Sequence, residues 1–148
     1  MTPRRRGAAK WGRAGRHANA GATCSMEDFR PMTRTLGVRG ELRLQPGGGR
    51  SSSDFLPFFN VESPGEGVVL AIGWTGEWAA SFSRLAEGTD FQVRAGMART
   101  HLKLHPGEEI RTPRVLALFW QGERIRGNNL LREFILTHRH ADEHLGRA

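Results

Sequence analysis

Val68 to Ile72 is an unbroken apolar run that leads directly into Gly73-Trp74-Thr75-Gly76-Glu77-Trp78. Such a run is the pattern of a strand buried on both faces, and the glycines that follow permit a tight turn. Two Trp residues bracketing one Glu at a strand end match what a sugar site uses, flat apolar faces for the ring and a carboxylate for its hydroxyls. The same residues also suit plain packing, with both indoles in the core or at its rim.

The flanking sequence extends this into a β-rich pattern. Leu36 to Leu44 ends in the alternation Leu42-Arg43-Leu44, a half-exposed strand, and Gln45 to Ser53 is a Gly/Ser loop. Phe55, Leu56, Phe58 and Phe59 cluster around Pro57, a group expected in the core or between strands because its exposure would compromise solubility. Ser63 to Gly67 reads as a turn, and so does Glu87 to Asp90. Phe91, Val93, Ala95 and Met97 alternate with Gln92, Arg94 and Gly96, the period of a one-faced strand. His101 to His105 alternates as well, with Leu102 and Leu104 expected inward, and Val115 to Trp120 is a second apolar run expected to be buried. Gly127-Asn128-Asn129 closes the β region. Asn is a good N-cap, and Leu130, Leu131, Phe134, Ile135 and His138 then fall at helical spacing. The expected fold is mainly β, an antiparallel β-sandwich over 29–127, followed by one helix and the start of a linker over 128–148.

Charge separates the N-terminus from this body. The net charge is +7, yet residues 1–50 carry eleven Arg/Lys against three Asp/Glu, and residues 51–148 carry eleven against twelve. The excess therefore sits in the first third, and the part that reads as folded is near neutral, which argues against a basic nucleic-acid-binding face. Residues 1–28 are an Arg/Gly/Ala-rich segment with few large apolar side chains and are expected to be disordered. They can alternatively be a basic tail for RNA, DNA or anionic membrane, or lie outside the natural reading frame, with Met26 the start.

Several chemistries are excluded. A single cysteine, Cys24, rules out a disulfide within the chain and a thiolate zinc site. No apolar stretch approaches the roughly 20 residues of a membrane span, and no apolar core follows Arg4-Arg5-Arg6 as a secretory signal requires. The chain thus reads as a soluble cytoplasmic protein. His140 and His144 share the spacing of a helical metal pair but lack the intervening Glu, and they read, with His138, as a solvated helix end. His101 and His105 read as exposed. Glycosidase chemistry needs two facing carboxylates; Asp54, Glu77, Glu108 and Glu109 form no convincing pair, and Gly47-Gly48-Gly49-Arg50 lacks the Lys-Ser/Thr of a phosphate loop. No cofactor or metal is expected, and the chain does not read as a complete enzyme.

Four stretches carry a family resemblance: Ser52 to Asn60, Ala71 to Trp78, Pro106 to Pro113 and Gly127 to Phe134. In words, order and spacing they resemble the N-terminal domain of glycoside hydrolase family 36, the α-galactosidase or melibiase family; residues 1–28 show no such likeness. The resemblance implies a β-sandwich that precedes a (β/α)8 barrel. In that family the barrel carries both catalytic aspartates, uses no metal or cofactor, and retains the anomeric configuration. Those aspartates have no counterpart here, so the resemblance implies a non-catalytic fragment that stops where the linker to the barrel would begin. It further implies a rim role for a sandwich loop, with Trp74, Trp78 and Asp54 as candidates for contacting sugar or bracing the barrel. Two other readings stay open, a stand-alone carbohydrate-binding sandwich and a basic nucleic-acid-binding protein.

Overall fold

In the computed structural model, the backbone is described for residues 8–13, 31–85 and 91–143, and the side chains for 32–85 and 91–138. Eight strands and one helix follow in the order β1 (Ala8–Arg13), β2 (Pro31–Thr35), β3 (Glu41–Leu44), β4 (Phe55–Ser63), β5 (Glu66–Gly73), β6 (Trp78–Arg84), β7 (Phe91–Met97), β8 (Arg114–Gln121) and α1 (Arg124–Glu143). They form a five-stranded sheet of order β2-β1-β4-β5-β8 and a three-stranded sheet of order β3-β6-β7. Every pairing is antiparallel. The result is the mainly β, antiparallel architecture with one C-terminal helix that the spacing of apolar runs and turns anticipates.

The core lies between the sheets. Strand β6 shows the cleanest period of two, with Trp78, Ala80, Phe82 and Arg84 buried and the intervening residues half-buried. Phe59 and Val61 of β4 and Ile72 of β5 meet this face, and Leu36 and Leu44 close it. Phe59 is the hub: its ring lies edge-on to Trp78 at 5.4 Å and to Phe82 at 5.1 Å, an arrangement that sets ring edges against ring faces.

The run that opens the sequence behaves as its composition requires. Val68, Leu70 and Ile72 face the three-stranded sheet, and Val69 and Ala71, also buried, point to the opposite face. That outer face is covered by α1, which packs on β8 and β5. The attachment centres on Trp120. Its indole lies over Gly67, its cross-strand partner, where an added Cβ would come within 2.4 Å of the ring. Gly127 of α1 closes on the same ring, its notional Cβ only 2.6 Å away. The indole N–H donates to Asn60 Oδ1 at 2.9 Å, and Arg124 donates to both carboxylate oxygens of Glu62 at 2.7 and 3.1 Å. Backbone without side chains on both sides of one indole thus seats the helix on the sheet.

Five expectations need correction. Ala8–Arg13 lies in the segment expected to be disordered, yet it forms β1 between β2 and β4; its ladder uses main-chain groups, which composition does not register. The rest of 1–28, and the turn at 87–90, lie outside the described residues. The helix begins at Arg124, before the Asn pair. Gly127 is a helical residue whose missing side chain makes room for Trp120, and the turn that ends the sheet is made at Gly122, with φ of 94°. The boundary between sheet and helix accordingly moves from 127/128 to 123/124. His101 to His105 forms no strand, and Leu102 and Leu104 are exposed. Among the described residues no strand pairs with this segment, so its alternation has no ladder to face. Val115 to Trp120 is an edge strand covered mainly on one side, leaving Val115 48 % and Phe119 79 % exposed. Finally, Phe58 is exposed, unlike Phe59, because it points from β4 to the outer face. Among the described residues no helix is long and apolar enough to cross a membrane.

Candidate functional site

Three loops gather at the end of the sandwich where β5 finishes. The first joins β5 to β6 and holds Trp74 to Glu77. Strand β5 stops as Trp74 N–H donates to Ile72 O at 3.1 Å, a tight reversal. The Trp74 ring folds back over its own loop, where a Cβ on Gly76 would sit 2.9 Å from the indole nitrogen. The ring is half-buried and packs against the edge of the core. One part of it is therefore committed to the sandwich, and the other is presented at the loop.

Glu77 turns sideways to the second loop, residues 45–54. Its Oε1 accepts from Gln45 Nε2 at 2.6 Å. Trp78 makes the other link, its indole N–H donating to Ser51 O at 2.7 Å. Within the second loop Asp54 closes a ring of its own: Oδ2 accepts from Gly47 N–H at 2.6 Å. A side chain on Gly47 would meet that oxygen at 2.8 Å, so the closure depends on glycine. The third segment joins through Ala98 N–H, which donates to Glu77 O at 3.2 Å, and then runs exposed toward β8.

The three sequence candidates fare differently. Trp74 and Asp54 belong to neighbouring, hydrogen-bonded loops at one end of the fold. Trp78 does not present its ring there. It is 0 % exposed, because it is the first residue of β6 on the parity shared with Ala80 and Phe82. Its apolar faces are spent on Phe59, and a sugar cannot reach them. Only its N–H serves the loop, as a strut beneath Ser51.

The side-chain hydrogen bonds of these loops hold backbone in place. Asp54 and Glu77 each accept from a neutral amide, and both hydrogen bonds close loops. Glu108 does the same for its own turn, accepting from His105 N–H at 2.9 Å. Among the described residues no group of three or more His, Cys, Asp or Glu could hold a metal ion. His101 and His105 are exposed, His138 lies edge-on to Phe134 at 4.2 Å, and the side chains of His140 and His144 lie outside the described residues. What the geometry offers is a half-buried indole at a braced loop tip, suited to stacking or to docking.

Sequence reasoning missed a second concave surface at the opposite end. A cleft of about 460 Å³ lies between Glu66 and Val68 of β5, Arg84 of β6, Phe91 of β7 and Phe119 of β8. Only the apolar parity of β7 and β8 hinted at it, since both strands direct side chains inward where, among the described residues, no further strand closes the gap. Comparisons of the chain with protein-family models, with characterised proteins and with solved structures found no match.

Proposed function

We propose that this chain is a non-catalytic sandwich domain of an α-galactosidase-like glycosidase, acting in the cytoplasm beside a (β/α)8 barrel that performs the hydrolysis. The reading rests on the four family-like stretches, and one observation supports it best: the stretch ending in Trp78 is tied to the loop 45–54, which leads into the stretch holding Asp54, by the Gln45–Glu77 and Trp78–Ser51 hydrogen bonds. A loop braced in this way can hold Trp74 at a fixed place on a barrel's rim. In this reading catalysis resides in the barrel, where the parent would remove terminal α-galactosyl groups with retention.

The isolated chain is expected to leave an aryl α-galactoside untouched; turnover above a buffer blank that co-purifies with the chain would sink the proposal. The genomic frame around the codon for Ala148 supplies a second check. It is expected to continue into a barrel with two suitably placed aspartates, and a frame encoding anything else would count against the reading. A stand-alone sugar-binding sandwich is favoured instead if galactose or raffinose binds the chain calorimetrically and Trp74→Ala abolishes the heat.

A further inference from the structure

Among the described residues the two sheets have four edge strands, and three of them are blunted. Strand β2 begins with Pro31 and carries Arg34; β3 alternates Glu41 and Arg43 with its leucines; β7 carries Arg94 at its centre. Proline and charge on an edge discourage pairing with another chain. Strand β8 has neither beyond its first residue. It reads Arg-Val-Leu-Ala-Leu-Phe-Trp-Gln, with its one charge at the first residue, and among the described residues it pairs only with β5.

We propose that β8 pairs with β8 of a second copy of this chain, antiparallel about a twofold axis through Ala117, joining two five-stranded sheets into one of ten strands. The register follows from the side chains. An axis normal to the sheet keeps inward residues opposite inward residues. Centred on Ala117, Phe119 meets Val115 of the other copy on the inner face, so the two most exposed apolar side chains of the strand cover each other. Leu116 meets Leu118 on the outer face. Ala117 meets itself, leaving the axis uncrowded. The two Arg114 residues fall at opposite ends of the ladder, so no like charges meet. The strand is bounded on both sides: Pro113 lacks an N–H, and Gly122 leaves the strand at positive φ. Centring on Leu118 instead would set Val115 against Gln121 and push Arg114 onto Gly122. This inference stands independently of the glycosidase reading, since it uses only β8.

Sedimentation of the intact chain over a range of concentrations provides the test. The expected species has twice the 16.5 kDa chain mass, with a dissociation constant below about 100 μM. Ala117→Lys places two ammonium groups face to face at the axis and is expected to weaken the dimer at least about tenfold. Ala117→Glu does likewise, and mixing the two variants is expected to restore a dimer containing one of each. Ala117 and Phe119 are exposed in the single chain, so circular dichroism should match the parent; Phe119→Ala, an independent variant, is also expected to weaken association about tenfold. A monomer throughout the concentration range, an open-ended series of oligomers, or a dimer indifferent to all these changes would overturn the proposal.

Discussion

Gly127→Ala separates helix propensity from packing at one position. In an exposed helix interior, replacing Gly by Ala stabilises by about 1 kcal/mol, because alanine loses less backbone freedom on folding. Here the added methyl would sit 2.6 Å from Cδ1 and 2.7 Å from Nε1 of Trp120. Neither neighbour can yield freely. The indole is pinned on its far side by Gly67 and through its N–H by Asn60, and rotating it away would forfeit a hydrogen bond worth about 1 kcal/mol. Forcing one carbon into a packed contact costs about 1–3 kcal/mol; with two contacts this short the upper half of that range applies. Subtracting the propensity gain leaves a net destabilisation of about 1–2 kcal/mol. Urea denaturation at one fixed protein concentration, followed by circular dichroism and Trp fluorescence, measures it as a lowered midpoint at unchanged slope. The decisive comparison repeats the substitution in a Trp120→Leu background. With the indole gone, the same methyl should stabilise by about 1 kcal/mol, and the change of sign is the coupling between the residues. If Gly127→Ala stabilises the parent protein, or costs the same in both backgrounds, the clamp is not what seats the helix.

Other perturbations report on other parts of the molecule. Trp78→Ala removes the largest fully buried side chain and a strut of the loop, and should cost about 3–5 kcal/mol in thermal or urea unfolding. Trp74→Ala, which vacates a half-buried site, is expected to lower stability by about 1–2 kcal/mol in the same assay, near the value for partial loss of an apolar side chain. Glu62→Gln weakens the two-pronged contact with Arg124 and should destabilise by about 0.5–1 kcal/mol at low salt, less at 1 M salt. Glu77→Ala frees Gln45 and is expected to speed proteolytic nicking between residues 45 and 54 while leaving the unfolding midpoint within about 0.5 kcal/mol.

Legibility in the sequence followed how local each determinant is. Strand β5 was legible because five apolar residues in a row allow little besides double burial, and β7 because strict alternation names its faces. The alternation of Leu102 and Leu104 uses the same signal and misleads, since a period of two only matters where a neighbouring strand supplies a ladder. Trp74 and Trp78 look alike in the sequence. A four-residue turn separates them, and only the restart of β6 decides that one indole enters the core and the other stays at the tip. Strand β1 was invisible because pairing on both sides can hold a strand that brings little apolar surface. The helix start is hidden because Gly127-Asn128-Asn129 reads as the end of the β region, when the bareness of Gly127 serves a Trp seven residues earlier. Asp54 and Glu77 read in the sequence as candidate chemistry, and no local pattern announces the loop-closing hydrogen bonds that each accepts.

The seat of α1 on Trp120 has a mechanical side. Coverage fades along the helix: Gly127 is buried, Leu130, Leu131 and Phe134 are half-buried, and Ile135 to His138 are exposed. Twenty residues of helix span about 30 Å, so α1 behaves as a lever whose fulcrum is a single indole. The arm from Gly127 to Glu143 is about 24 Å long, so a tilt of about 5° at that fulcrum would swing the far end by roughly 2 Å. Any shift of the Trp120 ring between its two glycines is thereby amplified with distance, and the placement of whatever the far end touches is set by the tightness of one small joint between β8, β5 and α1.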